Sequence, residues 1–233
     1  MKIGLLKCGK VHPELYPVYG DYDGMFKVYF SRYIPSIDLD VFDIVKGDYP
    51  PTLSGYDGFV SSGSLSAVYD NDKWIKEYQR FVVKLYEEQC KHVGICFGHQ
   101  MIAQALGGKV ERSERGWGMG IKKLSIYDRT SWTDNDKKEI YLISSHQDQV
   151  TVLPKKARLL AGNSHCPFGI FSVDDHVFAI QSHPEFTITY HKASVELRRK
   201  SVSPDIIQQA LNSMTKQTDE KIVAGWIKNF FEL

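Results

Sequence analysis

Several features of membrane, secreted and nucleic-acid-binding proteins are missing from this 233-residue sequence. No apolar run approaches the roughly 18 residues that a membrane span requires. The first strand-like segment, 2–6, is too short for a secretory signal. The formal net charge is only +1, and the basic clusters at 155–156 and 198–200 are predicted to be solvated faces. These absences predict a cytoplasmic protein with neither a nucleic acid nor a membrane as partner.

Disulfide, metal and nucleotide motifs are also missing. The four cysteines form no C-x-x-C pair, and a reducing compartment argues against a disulfide framework. Cys8 and Cys90 are interpreted as small core hydrophobes. Cys166 follows His165, but no further ligand stands at a suitable spacing, so no metal site is predicted. Because there is no G-x-x-x-x-G-K-[ST] loop or other nucleotide-binding segment, we expect no cofactor.

The remaining cysteine, Cys96, lies where an apolar strand-like segment, 93–97, breaks into a helix that begins near Gly98. Gly94 and Gly98 flank it as glycines flank the serine of a G-x-S-x-G elbow, where small neighbours permit the sharp turn. The N-terminal amides of the helix favour a thiolate and supply a donor for an oxyanion. The pattern predicts a nucleophilic cysteine that is exposed rather than buried.

A base for this nucleophile is found near the end of the chain, where an apolar strand over 178–180 leads to His183 and Glu185. Extended residues at i and i+2 project to the same side. Glu185 can therefore accept a hydrogen bond from one imidazole nitrogen while the other faces the sulfur. Nucleophile, base and orienting carboxylate together predict a catalytic triad.

Three segments carry a resemblance to a known family: G-I-C-F-G-H-Q at 94–100, Q-S-H-P-E-F at 181–186 and the strand-to-loop segment 56–64. The first two resemble the signatures of class I glutamine amidotransferase domains of the triad type. The resemblance covers nearly the whole chain and implies a single domain of this type over 1–233. It assigns catalysis to Cys96, His183 and Glu185, and the oxyanion donors to the amides of Gly63 and Phe97.

The resemblance also implies a γ-glutamyl pocket and a subgroup. The stretch S-H-Q-D-Q-V at 145–150 resembles the family segment beside the bound glutamine. The substrate contacts that follow from it are Gln100, His146, Gln147 and Asp148. The segment 115–120 and the helical tail after Glu185 look most like stand-alone members such as the plant γ-glutamyl peptidases. One departure concerns the loop at 62–65, Ser-Gly-Ser-Leu, where many members have two glycines and a proline.

Alternation of strands and helices predicts an α/β fold with three layers, a mostly parallel central sheet between helices, and a small antiparallel β extension. In the family's terms this is a flavodoxin-like fold. Strands are expected at 2–8, 39–45, 56–61 and 92–97, with shorter β pieces near 119–127, 140–144, 157–162, 168–173 and 177–182, separated by polar turns such as 134–136. Helices are expected at 21–33, 72–88, 99–106, 187–199, 204–215 and 219–231.

Several aromatic and histidine residues are open to a structural interpretation. The stripe Tyr22, Phe26, Tyr29 and Tyr33 has helical spacing and is predicted to be core. His99 is expected to pack or cap rather than act as base. Trp117 is either a pocket wall or a buried side chain. The histidines without a motif, to which surface or structural roles are assigned by default, are His12, His92, His176 and His191.

Three functions from different classes follow. The first is a cysteine hydrolase of γ-glutamyl amides or peptides, with glutamine, a γ-glutamyl peptide or a glutathione conjugate as substrate. The second is a glutaminase subunit that delivers ammonia to a separate synthetase as partner. The third is a catalytically silent binding module on the same fold. The complete triad counts against the third, and the lack of an acceptor-binding segment counts against the second.

Overall fold

The computed structural model describes residues 1–133 and 136–233, and a nine-stranded sheet with helices on both faces lies at its centre. The strands are β1 Lys2–Lys7, β2 Asp38–Asp43, β3 Gly58–Ser61, β4 His92–Ile95, β5 Lys109–Arg112, β6 Gly118–Ile126, β7 Glu139–His146, β8 Asp148–Val152, β9 Ala157–Gly162, β10 Ile170–Val173 and β11 Val177–Ile180. The helices are α1 Tyr16–Tyr19, α2 Tyr22–Tyr33, α3 Lys73–Glu87, α4 Phe97–Ala105, α5 Ile188–Leu197, α6 Pro204–Ser213 and α7 Glu220–Glu232.

The main sheet has two differently built halves. Its order is β2-β1-β3-β4-β11-β10-β9-β6-β7. The strands from β2 to β11 are parallel, whereas the strands from β10 to β7 are antiparallel. A separate antiparallel ribbon pairs β5 with β8. The predicted fold class is confirmed, and the antiparallel part is larger than expected because its strands extend the main sheet itself.

Apolar side chains fill both spaces between sheet and helices, which gives the three predicted layers. On one face α2 and α7 pack against the sheet through residues such as Phe26 and Phe230. On the other face α3 and α4 do so through Tyr78 and Met101. The predicted stripe on α2 is mostly core: Tyr22, Phe26 and Tyr29 are buried, and Tyr33 is partly buried.

Local sequence signals explain where several helices begin. The Asp21 carboxylate accepts a hydrogen bond from the Tyr22 amide at the start of α2. The Thr187 hydroxyl accepts one from the Tyr190 amide at the start of α5. Both side chains satisfy amides that have no partner within the helix. Pro204 opens α6, a position where its missing N–H costs nothing.

Some elements were not predicted. The short helix α1 and the ribbon strands β5 and β8 lie in segments without clear periodicity, and the ribbon is held by a pairing between distant parts of the chain. Cys90 is only partly buried at the edge of the core, so its assignment as a core residue was wrong. Of the polar turn expected at 134–136, residues 134–135 lie outside the described residues. Among the described residues, no helix is long and apolar enough to cross a membrane.

Candidate active site

Cys96 occupies a strained turn between β4 and α4. Its backbone has φ 51° and ψ −97°. Residues other than glycine rarely adopt a positive φ of this size. Close packing of the turn requires glycine on both sides. A Cβ on Gly94 would lie 2.5 Å from the Ile102 Cδ1, and a Cβ on Gly98 would lie 2.5 Å from the Ser61 Cβ. The elbow predicted from the two glycines is therefore present.

The prediction that Cys96 is exposed was wrong, because its exposed fraction is only 6%. Segments that are distant in the sequence, among them residues 64–66, 145–148 and 190–198, border the same space as Cys96. Cys96 lies in the wall of a cavity of about 170 Å³. Other residues that line this cavity are His12, Tyr22, Ser64, Leu65, Ser66, Phe97, Gln100, Trp117, Ser145, His146, Gln147, Asp148, His183, Phe186, Tyr190, Ser194 and Arg198.

His183 and Glu185 form the predicted pair. The His183 Nδ1 donates to the Glu185 Oε1 at 2.8 Å, and both side chains are almost completely buried. Phe186 stacks on the imidazole with ring centroids 3.8 Å apart. The His183 amide donates to the Ile143 carbonyl of β7 at 2.8 Å. The ring is thus fixed from one side by a carboxylate and from another by an aromatic face.

The charge of the site follows from these contacts. Burial by itself lowers the pKa of His183, but the nearby Cys96 and Glu185 favour the imidazolium and raise the pKa to about 10. Among neighbouring groups, opposite charges at short range can outweigh desolvation. His183 therefore carries a proton at neutral pH and can donate it in the cavity.

The two backbone amides predicted as oxyanion donors belong to segments that border Cys96. Phe97 is the first residue of α4, and amides of a first helical turn have no acceptor within the helix. Gly63 follows β3, and a Cβ built on it would lie 3.0 Å from the His183 Cε1 and 3.8 Å from the Cys96 Cβ. The loop and the helix thus meet at the nucleophile.

The predicted glutamyl contacts line the same cavity, but their amide and imidazole nitrogens are largely used inside the protein. The Gln100 Nε2 donates to the Asp148 carbonyl at 2.8 Å and to the Gln181 Oε1 at 3.2 Å. The His146 Nδ1 donates to the same Asp148 carbonyl at 3.0 Å. Burial lowers the pKa of His146 to about 3, so this ring stays neutral. Gln147 borders the cavity beside them.

His99 is not part of this arrangement. It is completely buried, its Nε2 donates to the Phe168 carbonyl at 2.8 Å, and its ring packs against Phe171. This agrees with the prediction that His99 packs rather than acts as base. Within residues 1–133 and 136–233, no group of three or more His, Cys, Asp or Glu side chains is placed to hold a metal ion.

Arg198 was missed by the sequence reasoning, which assigned 198–200 to a solvated face. Its side chain is partly buried and lines the cavity. The Nη1 donates to the carbonyl and hydroxyl of Ser194, and the guanidinium lies 5.0 Å from the centre of the Trp117 ring. Trp117 is thus a pocket wall. No carboxylate of the described residues lies within 4.0 Å of Arg198.

Gln181 was also missed as a site residue, although it lies within the second motif. Its Nε2 donates to the Cys96 Sγ at 3.6 Å, while its Oε1 accepts from Gln100. It therefore links Cys96 to Gln100, which lines the cavity. The strand β11, which ends at Ile180 and pairs with β4, provides this placement.

The chain is similar to known proteins in both sequence and fold. Residues 32–199 match the family Glutamine amidotransferase class-I. Gamma-glutamyl peptidase 3 of Arabidopsis thaliana is 33% identical over 91% of this chain and 90% of its own. A subunit of the glutamine-hydrolyzing GMP synthase of Pyrococcus furiosus is 30% identical over 59% of this chain and 71% of its own. The crystal structure of a glutamine amidotransferase from Thermotoga maritima superposes with a TM-score of 0.80 at 18% identity, covering 99% of each chain.

Proposed function

The chain belongs to the class-I glutamine amidotransferase family, and on that premise we propose that the protein is a cysteine hydrolase that cleaves γ-glutamyl C–N bonds. A single domain of this type over residues 1–233 is part of the proposal. The observation that carries it is that one cavity is lined by both Cys96, at a strained elbow, and His183, whose ring is hydrogen-bonded to the buried Glu185. The Arabidopsis relative, which bears the name gamma-glutamyl peptidase, supports the same bond type.

The first half of the reaction forms a thioester. The Cys96 thiolate attacks the γ-carbonyl carbon, and the carbonyl oxygen becomes an oxyanion that accepts hydrogen bonds from the Gly63 and Phe97 amides. When the tetrahedral intermediate collapses, the C–N bond breaks. The proton on His183 passes to the departing nitrogen, so that the amine leaves in its neutral form.

The second half returns the enzyme to its starting state. Neutral His183, held by Glu185, removes a proton from a water that attacks the thioester carbonyl. The C–S bond then breaks, glutamate leaves, and Cys96 and His183 are again a thiolate and an imidazolium. The pKa of about 10 for His183 supports this resting state.

Two features favour a peptide over glutamine as substrate. Arg198 presents a guanidinium to the cavity without a carboxylate partner among the described residues, and a partly desolvated charge of this kind gains from an anionic ligand. In addition, residues 64–66 separate the cavity from a second one of about 790 Å³. Both features suit a leaving group that is larger than ammonia and has a terminal carboxylate. Arg198 would bind the carboxylate, and the second cavity offers additional space.

A second candidate is a glutaminase subunit that supplies ammonia to a separate synthetase in the cytoplasm. The relative from Pyrococcus furiosus, which bears the name of a GMP synthase component, favours it. This candidate predicts efficient release of ammonia from glutamine and co-purification with an ATP-dependent ligase. The peptidase candidate predicts neither.

One assay of the purified protein distinguishes the peptidase from the glutaminase subunit. Glutamine, γ-glutamyl dipeptides and a glutathione S-conjugate are offered separately, and ammonia, free amine and glutamate are measured. We expect hydrolysis of the peptides without a partner, at a kcat/KM above that for glutamine. Efficient hydrolysis of glutamine with untouched peptides would establish the ammonia-supplying function instead.

A further inference from the structure

The loop that follows β3 has to hold the Gly63 amide without the rigid turn expected of the family. It reads Ser62-Gly63-Ser64-Leu65, where a proline and a second glycine were expected. An error of about 1 Å in the position of a catalytic donor can cost roughly 10²-fold in rate. Something else must therefore fix this loop if the amide is to serve the reaction.

Ser62 makes hydrogen bonds on both sides of the peptide group that carries the Gly63 N–H. Its hydroxyl accepts a hydrogen bond from the Cys8 amide at 2.9 Å and donates to the Gly63 carbonyl at 3.0 Å. Its own amide donates to the Leu6 carbonyl at 3.1 Å. Ser62 is completely buried. On the N-terminal side of the Gly63 N–H, Ser62 is thus bonded to Leu6 and Cys8 at the end of β1. On the C-terminal side, its hydroxyl restrains the Gly63 carbonyl.

Ser61, the residue before Ser62, is also held by hydrogen bonds. The Tyr78 hydroxyl donates to the Ser61 hydroxyl, and a further hydrogen bond of 2.5 Å joins the Ser61 hydroxyl to the His92 Nε2. Burial lowers the pKa of His92 to about 3, so this ring stays neutral. The Ser61 side chain also packs directly against Gly98 of the elbow. The base of the loop and the start of α4 therefore form one rigid unit.

We propose that Ser62 is a positioning residue for the reaction: its hydroxyl holds the Gly63 amide toward Cys96 in place of the missing glycine–proline turn. This inference rests on the proposed function. Ser62 acts through Gly63 and touches no reacting atom. Its loss should therefore affect the step in which an oxyanion forms, and leave the nucleophile itself unchanged.

The test compares two reactions of Cys96 in the variant Ser62→Ala. Hydrolysis of a γ-glutamyl dipeptide forms an oxyanion, whereas alkylation by iodoacetamide does not. We expect kcat to fall roughly 10- to 100-fold, with KM and the alkylation rate at about pH 6 close to those of the wild type. The control is Ser172→Ala, which removes another buried serine hydroxyl, on β10, and should leave both reactions unchanged. If Ser62→Ala does not fold, Ser62→Cys is measured in the same way, with alkylation read from the peptide that contains Cys96 so that the added thiol is not counted.

The outcomes separate this inference from the function it rests on. A fall in kcat with unchanged alkylation supports a positioning role. An active wild type with an equally active Ser62 variant would overturn this inference alone. Equal losses in hydrolysis and alkylation would also overturn it, because they would mean that Ser62 supports the elbow in general. A wild type inactive on every γ-glutamyl substrate would overturn the proposed function and this inference with it.

Discussion

The parallel and antiparallel halves of the main sheet contribute to the cavity in different ways. In the parallel half, Gly63, Cys96 and His183 each stand just beyond the end of a strand, after β3, β4 and β11. Because carboxyl ends of parallel strands meet at one edge, these residues come together without long loops. At the antiparallel end, His146 is the last residue of β7 in the main sheet and Asp148 is the first residue of β8 in the separate ribbon, so a single turn between the two strands supplies both.

The difference indicates that the proposed reacting groups and the proposed recognition groups have separate structural origins. The reacting groups depend on local turns, above all the strained backbone of Cys96. The recognition groups depend on pairing between distant segments. The two halves are joined at the site itself, where Ile143 of β7 forms a bridge with His183. Changes in the first half should therefore affect kcat, and changes in the second half or the helical tail should affect substrate choice.

The largest effect is expected at the elbow. Replacing Cys96 by Ser should lower kcat/KM by at least ~10³-fold, since a hydroxyl is a far weaker nucleophile than a thiolate. The fold should persist because the substitution is nearly isosteric. Steady-state kinetics and circular dichroism check this. Substantial activity in a folded Cys96→Ser protein would mean that another group is the nucleophile.

The second largest effect separates the base from its orienting carboxylate. His183→Ala should remove nearly all activity. Glu185→Gln should retain a measurable rate, reduced roughly 10²- to 10⁴-fold, because the amide can hold the ring but cannot stabilise the imidazolium. Both variants are assayed at equal folded concentration. Small and equal losses in the two variants would indicate that the pair is structural.

A moderate effect on substrate choice is expected at Arg198. Arg198→Gln should raise KM roughly 10- to 100-fold for a γ-glutamyl dipeptide with a free terminal carboxylate. The KM values for the matched dipeptide amide and for glutamine should change little. Arg199→Gln is the control, because this neighbour is exposed and pairs with Glu196. An equal rise for glutamine would assign Arg198 to the α-carboxylate of the glutamyl group instead.

The last effect concerns stability rather than catalysis. The pKa of His183 is about 10 in the folded protein, against about 6.5 for an unfolded histidine. Since folding raises the pKa, the stabilisation is complete below about pH 6.5 and is lost as the pH rises toward 10. The difference in free energy of unfolding between wild type and His183→Gln should therefore shrink from about pH 6 to about pH 10. Urea denaturation at both values measures it, and a constant difference would contradict the assignment.

The division between local turns and pairing of distant segments also explains what the sequence could predict. Cys96, His183 and Glu185 lie in short motifs whose spacing already implies the chemistry, and the structure brings them together. The burial of Cys96 was missed because it depends on loops that fold over the elbow from elsewhere. Arg198 was missed because a basic triplet on a helix end has no local signal that one member turns inward. The ribbon β5–β8 escaped prediction because its pairing joins distant segments.

The most direct test of the central claim is to trap the covalent intermediate. The wild-type protein is mixed with a γ-glutamyl dipeptide, quenched with acid during turnover and digested, and the peptide that contains Cys96 is analysed by mass spectrometry. We predict a γ-glutamyl group on Cys96 as an acid-stable thioester, absent from Cys96→Ser and increased in wild type under conditions in which hydrolysis of the thioester is rate-limiting. Steady hydrolysis of the dipeptide with no modification of Cys96, or with the γ-glutamyl group on a different residue, would contradict the account.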